Sequence, residues 1–154
     1  MSSSGSPGGA GEVGAPLPDH PDGPFVSDEG GGPMPPVVWD ELPGEVRRAA
    51  ERALELKAEE VTVLDVRGLS SATDFFVIAS GRSDVQVRAI AEHVIDGAKS
   101  EGTRPEHVEG REQGRWVLID YIDHVVHVFQ PAVREFYQLE TLWGDAASLV
   151  IDEA

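Results

Sequence analysis

The chain has 154 residues, no cysteine and a formal net charge of −16 at pH 7, from 28 acidic and 12 basic residues. This length is enough for one domain with its own core, and the lack of cysteine excludes disulfide bonds and thiol chemistry. The acidic balance disfavours direct binding to nucleic-acid phosphates, where Lys and Arg supply the affinity, and it fits a basic partner. Composition leaves open the alternative that the charge only keeps the protein soluble.

Residues 1–40 differ in composition from the rest of the chain. They contain no Lys or Arg, six acidic residues and many Gly, Pro and Ser residues. Such a segment buries too little apolar surface to offset the entropy lost on ordering, which predicts a disordered acidic tail. No basic and apolar leader opens the chain and no apolar run approaches about 20 residues, so we expect a cytoplasmic protein without membrane contact.

The first half of the predicted domain is read from hydrophobic periodicity. Apolar residues recur with helical spacing from Leu42 to Leu54, and a strand over residues 61–66 follows. The near-continuous apolar run over residues 74–80 predicts a central strand that is covered on both faces. Ser83 and Gln86 have the spacing of a capping box, which predicts the start of a second helix.

The second half is read as three strands and a last helix. A weak strand over residues 104–108 precedes strands over residues 115–121 and 124–129, which join as a tight hairpin. Pro131 suits the first turn of the last helix, because its missing N–H costs nothing there, and Gly144 ends that helix.

The order of these elements is α-β-β-α-β-β-β-α. It predicts an α/β domain over residues 41–144, built as a mixed sheet of about five strands flanked by helices. Residues 145–154 would follow as a short acidic tail, with an apolar patch to which the sequence assigns no role.

Four polar residues around the hairpin could in principle form a metal or catalytic site: Asp120, Asp123, His124 and His127. Side chains alternate along a strand, so the two histidines should point to opposite faces. The two acids lie three residues apart, whereas nucleotidyltransferases place such acids one residue apart. The chain also lacks a Gly-rich phosphate loop and a serine tied to a base. We therefore expect a polar turn, with no catalytic residue, metal ligand or cofactor.

Trp116 is the candidate anchor of a binding surface. By alternation it shares one face of its strand with Asp120, while Tyr121 points to the opposite, better core face. A partly exposed tryptophan would offer a partner a large rigid contact area. Burial of Trp116 beneath a helix is the structural alternative, and the sequence leaves both open. At the end of the last helix, Leu139 and Trp143 are expected chiefly to attach the helix to the sheet.

Several motifs follow one another in a set order along the domain. They are DVRGLSS at 65–71, TDFFVIASGRS at 73–83, QVRAIA at 86–91, WVLIDY at 116–121, VVHVF at 125–129, REFYQLE at 134–140 and LWGD at 142–145. In order and spacing, the chain resembles the ribosomal silencing factor family, also called the iojap family, over about residues 42–145.

The resemblance implies a domain related to the nucleotidyltransferase fold but without its catalytic acids. It implies a non-enzymatic repressor that binds the large ribosomal subunit through the basic ribosomal protein L fourteen. Bound there, such a protein sterically blocks joining of the small subunit and lowers translation when nutrients are scarce. Relatives also suggest a homodimer in isolation. A nucleotide- or metal-dependent enzyme, or an adaptor that holds a basic partner with its acidic tail, are the alternatives.

Carried onto this chain, the resemblance implies a partner-binding surface on the hairpin and at the end of the last helix. Its residues would be Trp116, Asp120, Tyr121, Asp123, Glu140 and Trp143, with the acids facing Arg and Lys of the partner. Ile122 stands where the family usually has Gly. A β-branched residue resists the positive φ that Gly permits, so we expect a different turn type at this position.

Overall fold

The structure is a computed structural model that describes residues 36–144 and 146–151. Its elements are a 3₁₀ turn Trp39–Glu41, α1 Gly44–Glu55, β1 Glu59–Asp65, β2 Phe75–Ser80, α2 Asp84–Ser100, β3 His107–Glu109, β4 Trp116–Asp120, β5 His124–Phe129, α3 Pro131–Tyr137, α4 Leu139–Leu142 and β6 Ala147–Ile151. Residues 1–35 of the predicted disordered tail lie outside the described residues. None of the described helices has the length and apolar character to span a membrane.

The strands form one six-stranded mixed sheet in the order β3-β4-β5-β2-β1-β6. β2 and β5 run parallel, and every other neighbouring pair is antiparallel. The predicted mixed α/β architecture is confirmed, with one strand more than the five expected. The additional strand is β6, which pairs with β1 from Val61 opposite Ile151 to Asp65 opposite Ala147. Its apolar residues, for which the sequence suggested no role, form an edge of the sheet.

The long helices α1 and α2 cover one face of the sheet. The apolar stripe of α1 is built from Val46 and three alanines, all buried, and small side chains let the helix approach the strands closely. α2 buries Val87, Ile90 and Val94 on the same face, as its periodicity predicts. Val117, Ile119 and Tyr121 join this cluster, which confirms the predicted core face of β4.

The short helices α3 and α4 cover the opposite face, over a second buried cluster. Its members are mostly large side chains: Leu64, Val66, Phe76, Ile78, Trp116, Phe129, Leu139 and Trp143. All six residues of β2 are buried, which confirms the prediction of a central strand covered on both faces. The sheet therefore separates two cores of different composition.

The predicted cap at the start of α2 is formed, with the return bond to Gln86 coming from the residue before the N-cap. The Ser83 hydroxyl accepts a hydrogen bond from the Gln86 backbone N–H at 3.0 Å, and the Gln86 side-chain oxygen accepts one from the Arg82 N–H at 2.7 Å. The Gln86 amide also donates to the Leu56 carbonyl at 3.1 Å. The same side chain thus begins α2 and ties it to the end of α1.

Candidate functional site

The hairpin between β4 and β5 turns at Ile122, which is 59% exposed. The Asp123 N–H donates to the Tyr121 carbonyl at 2.9 Å, across a central residue whose φ is +75°. The Asp120 carboxylate accepts a hydrogen bond from the Ile122 N–H at 2.8 Å. This is a three-residue γ-turn, a rare conformation for a side-chain-bearing residue.

The expectation that Ile122 would resist a positive φ is therefore wrong. The isoleucine adopts the positive φ that a glycine would take, although a β-branched side chain is a steric outlier there. The hydrogen bonds on either side hold the backbone in place, so the strain is offset locally. Asp123 consequently stays at the exposed tip of the hairpin, next to Ile122.

Trp116 is buried, with only 3% of its surface exposed. Its indole N–H donates to His127 Nδ1 at 3.0 Å, and its ring stacks on Phe129 at 4.7 Å between centroids. Tyr137 of α3 packs on the same ring at 4.8 Å. The tryptophan does lie on the Asp120 face, but it packs beneath a helix, so the prediction of a partly exposed anchor is wrong.

The buried partner of Trp116, His127, is held in its neutral form. Burial lowers the pKa of His127 to about 3, because the interior does not solvate an imidazolium. Since Nδ1 accepts from the indole, the ring proton sits on Nε2, which has no hydrogen-bond partner within residues 36–144 and 146–151. His124 lies on the opposite face of the sheet, stacked on Tyr121, so the predicted divergence of the two histidines is confirmed.

The other two aromatic residues of the predicted surface are also buried. Tyr121 is 8% exposed on the α1 and α2 face, where burial raises the pKa of its phenol to about 12. Trp143 is 1% exposed and meets the edge of Phe76 at 5.4 Å. Trp143 therefore attaches the end of α4 to the sheet, as the structural interpretation predicted.

Glu140 is half-buried and forms an ion pair with Arg134. The Arg134 guanidinium is itself buried and donates to the Ser80 hydroxyl at 2.7 Å and to Thr62 Oγ1 at 3.4 Å. Sequence reasoning missed Arg134, although a basic residue on the inner side of an amphipathic helix indicates a charge that needs a partner. The charge of Glu140 is thus largely compensated within the chain.

An open groove lies where the parallel strands β2 and β5 end, the usual ligand position in α/β sheets. Its walls include four glutamates and one basic residue: Glu59, Glu60, Glu135, Glu140 and Arg134. The groove would repel a nucleotide phosphate, since its only arginine is already paired with Glu140. The nearby turn offers no phosphate loop either, because Ser80 is bonded to Arg134 and Ser83 caps α2.

The most exposed large apolar residue of the described chain is Phe136, at 78%. Its ring meets the edge of Tyr137 at 5.0 Å, and Tyr137 in turn packs on Trp116. Sequence reasoning did not select Phe136. The signal was available: neighbouring residues of a helix point about 100° apart, so two adjacent aromatics cannot both face the core.

A family model described as "Ribosomal silencing factor during starvation" matches residues 40–154 of the chain. A protein of Halalkalibacterium halodurans named ribosomal silencing factor RsfS is 47% identical over 96 residues, which cover 62% of this chain and 82% of that one. The protein of the same name from Bacillus subtilis is 43% identical over 104 residues, covering 68% and 88%.

Similarity extends to a plant protein and to a solved structure. The chloroplastic protein Iojap of Zea mays is 34% identical over 130 residues, which cover 82% of this chain and 57% of that one. A crystal structure of a protein from Chromobacterium violaceum aligns with a TM-score of 0.63 at 37% identity, covering 71% of this chain and 92% of that one. The predicted fold class and family resemblance are thereby confirmed.

Proposed function

Because this chain belongs to the ribosomal silencing factor family, we propose that it represses translation by binding the large ribosomal subunit. The match of the family model over residues 40–154 is the observation that carries this proposal. In the proposed mechanism the protein contacts the basic ribosomal protein L fourteen and sterically blocks joining of the small subunit when nutrients are limiting. The net charge of −16 supports a basic partner, since complementary charges speed encounter and suppress wrong partners.

The proposed contact surface follows strand β4 on the α3 side of the sheet. Phe136 is its apolar anchor, because a large exposed aromatic ring is the kind of residue that dominates binding energy. Asp120 forms the acidic end of the surface on this side, and Asp123 adds a second carboxylate at the exposed hairpin tip, turned toward Glu45 of α1. The four steps along β4 from Trp116 to Asp120 span about 14 Å, which fits within one ordinary protein interface.

The buried aromatic residues have a supporting role in this proposal. Trp116 lies beneath Tyr137 and holds the ring that positions Phe136, while Trp143 holds the end of α4 against Phe76. Tyr121 supports the hairpin from the opposite face. Glu140 contributes less than the hairpin acids, because Arg134 already compensates its charge.

The proposed action needs no chemical step. The hairpin carboxylates are engaged in the turn, with Asp120 bonded to the Ile122 N–H and Asp123 to His124. The groove at the strand ends carries four glutamates, which disfavours a phosphate substrate. Steric exclusion of the small subunit requires only that the protein occupy the joining face.

Sedimentation with isolated large subunits, followed by light scattering after addition of small subunits, tests the proposal. We expect the full chain to sediment with large subunits and to prevent joining, with binding that weakens as salt rises. Phe136→Ala should weaken binding at least tenfold without changing the thermal midpoint, because the ring is exposed. Val85→Ala is the matched control, since Val85 is 65% exposed on α2 across the sheet and should bind normally.

The outcomes separate the function from the surface. No binding at low salt would contradict the repressor function itself. Normal binding by Phe136→Ala, with joining still blocked, would contradict only the assignment of the contact surface. Loss of binding on deletion of residues 1–35 would favour the acidic-tail adaptor.

A further inference from the structure

Three metal-ligating side chains meet where the hairpin approaches the start of α1. Glu45 lies in the first turn of α1, and Asp123 and His124 lie at the start of β5. One donor atom from each of the three residues lies within 4.8 Å of the others. The hairpin residues alone do not form this cluster, because Glu45 is far away in the sequence.

The histidine of this cluster is fixed in place. His124 is 3% exposed, and its ring stacks on Tyr121 at 4.9 Å with an angle of 19° between the planes. Its Nδ1 lies 2.8 Å from the Asp123 carboxylate. Glu45 and Asp123 are exposed, so their carboxylates can rotate while the imidazole stays where it is.

An unpartnered polar side chain lines a cavity beside two residues of this cluster. A narrow cavity of about 10 Å³, enough for roughly one water molecule, is lined by Glu45, Tyr121 and His124. The Tyr121 hydroxyl is buried and has no hydrogen-bond partner in the described part of the chain. A buried hydroxyl without a partner is costly, so its position points to a bound species in the cavity.

The charges around the cavity tolerate a cation. Arg48 and Arg52 also line it, and both pair with Glu101. The Thr103 hydroxyl donates a hydrogen bond to the Glu45 carboxylate at 3.2 Å, which helps to orient that side chain. Glu45 and Glu101 balance the two arginines of the lining, and Asp123, beside His124, adds one negative charge that no arginine of the lining compensates.

We infer that Glu45, Asp123 and His124 form a binding site for one divalent transition metal ion, with zinc as the best match. Imidazole and carboxylate are ordinary zinc ligands, whereas magnesium and calcium prefer sites built of oxygen alone. Ligands of a four-coordinate zinc lie about 3.4 Å apart, and rotation of the two exposed carboxylates can bring donor atoms that already lie within 4.8 Å of one another to that spacing. A water in the fourth position would give the Tyr121 hydroxyl its partner.

The site departs from the expectation that this chain has no metal ligand, and it goes beyond the repressor function proposed above. A bound ion would join α1 to the β4–β5 hairpin. It would therefore hold Asp123 and the neighbouring turn in one position. Stability rises when a ligand binds the folded chain alone, so zinc should raise the thermal midpoint.

Calorimetric titration of the chelator-treated full chain with zinc chloride, together with thermal unfolding, tests the inference. We expect one zinc per chain and a rise in the thermal midpoint of about 10 °C at a hundredfold excess over Kd. Magnesium and calcium should leave the midpoint unchanged. Cobalt(II) should give the visible absorption of a four-coordinate site.

Two variants and one control locate the ion. Glu45→Gln and His124→Phe should each weaken zinc binding at least tenfold; the phenyl ring keeps the stack on Tyr121. His107→Gln removes the histidine of an exposed His–Glu pair elsewhere and should bind zinc normally. If the His124→Phe protein does not fold, the zinc affinity of Glu45→Gln decides the test. Glu45 is exposed, so its substitution should leave the fold intact.

No zinc binding by the unmodified chain would overturn the inference, as would unchanged affinity in Glu45→Gln. Loss of binding in His107→Gln alone would place the ion at the exposed pair and would overturn it too. Ribosome binding enters none of these measurements, so failure of the repressor proposal would leave their result intact.

Discussion

The two faces of the sheet are both buried, but by different means. On one face, the long helices α1 and α2 cover a cluster made mainly of Val, Ile and Ala. On the other, α3 and α4 have only seven and four residues, and they cover a cluster rich in Trp and Phe. Short helices present little surface, so bulky rings and buried polar contacts take the place of extended aliphatic packing.

The difference also separates stability from recognition. The face covered by α1 and α2, called the aliphatic face below, has its apolar side chains buried, and the two helices expose mostly polar residues. The face covered by α3 and α4, called the aromatic face below, has a buried support formed by Trp116 and His127. Above this support lies the exposed ring of Phe136. A surface whose anchor rests on a rigid buried support suits binding, because less order has to be gained on contact. Three substitutions, each compared with a second one elsewhere in the fold, test this contrast.

The largest expected effect is that of Trp116→Ala, which removes the centre of the aromatic face. It should lower the free energy of unfolding by about 3–5 kcal/mol, because it opens a large cavity and deprives His127 of its indole donor. A much smaller change on the aliphatic face of the same strand, Ile119→Val, should lower the free energy of unfolding by only about 0.5–1.5 kcal/mol. Urea denaturation followed by circular dichroism measures both. A loss below about 1 kcal/mol for Trp116→Ala would mean that the ring is not buried.

The next effect is a pH dependence specific to the aromatic face. The folded pKa of His127 is about 3, below the unfolded value of 6.5, so the unfolded chain takes up the proton first. The stabilisation from neutral His127 is complete above about pH 6.5. It falls as the pH drops toward 3, by up to about 1.4 kcal/mol per pH unit.

Urea unfolding at a series of pH values checks this dependence. His127→Gln should show a shallower loss of stability between pH 6.5 and 4 than the unmodified chain. His93→Gln, at a more exposed histidine of α2, is the control and should keep the full slope. Equal slopes in all three proteins would contradict the burial of His127.

The smallest expected effect concerns the hairpin tip. Ile122→Gly should raise the free energy of unfolding by about 1 kcal/mol, because glycine adopts a φ of +75° without steric cost. Val85→Gly, at an exposed position in the first turn of α2, should lower it by about 0.5 kcal/mol, because glycine is less favourable in a helix than valine. Thermal unfolding compares the two. A destabilised Ile122→Gly protein would show that the isoleucine side chain makes contacts that outweigh the strain.

The candidate site was only partly predictable from the sequence. Alternation along β4 correctly placed Trp116 with Asp120 and against Tyr121, because strand geometry alone decides which face a residue takes. It could not tell whether Trp116 was exposed, since that depends on where α3 packs. The adjacent rings of Phe136 and Tyr137 indicated that one of them must point away from the core, but only the packing of α3 decides which one. A basic residue on the inner side of α3 likewise indicated a charge that needs a partner, but the partners of Arg134 come from β1, β2 and α4.

The sequence by itself determined the family, the helices α1 and α2, the central strand β2, the helix cap at Ser83 and the opposite directions of His124 and His127. These follow from local periodicity, hydrogen bonding and motif order, which need no knowledge of distant contacts. Tertiary structure alone decided the sixth strand β6, the burial of Trp116, the positive φ of Ile122 and the meeting of Glu45 with His124. Three of these depend on segments far apart in the chain, whose packing no local pattern records. The positive φ of Ile122 is held by hydrogen bonds within the hairpin itself, against the steric preference of isoleucine.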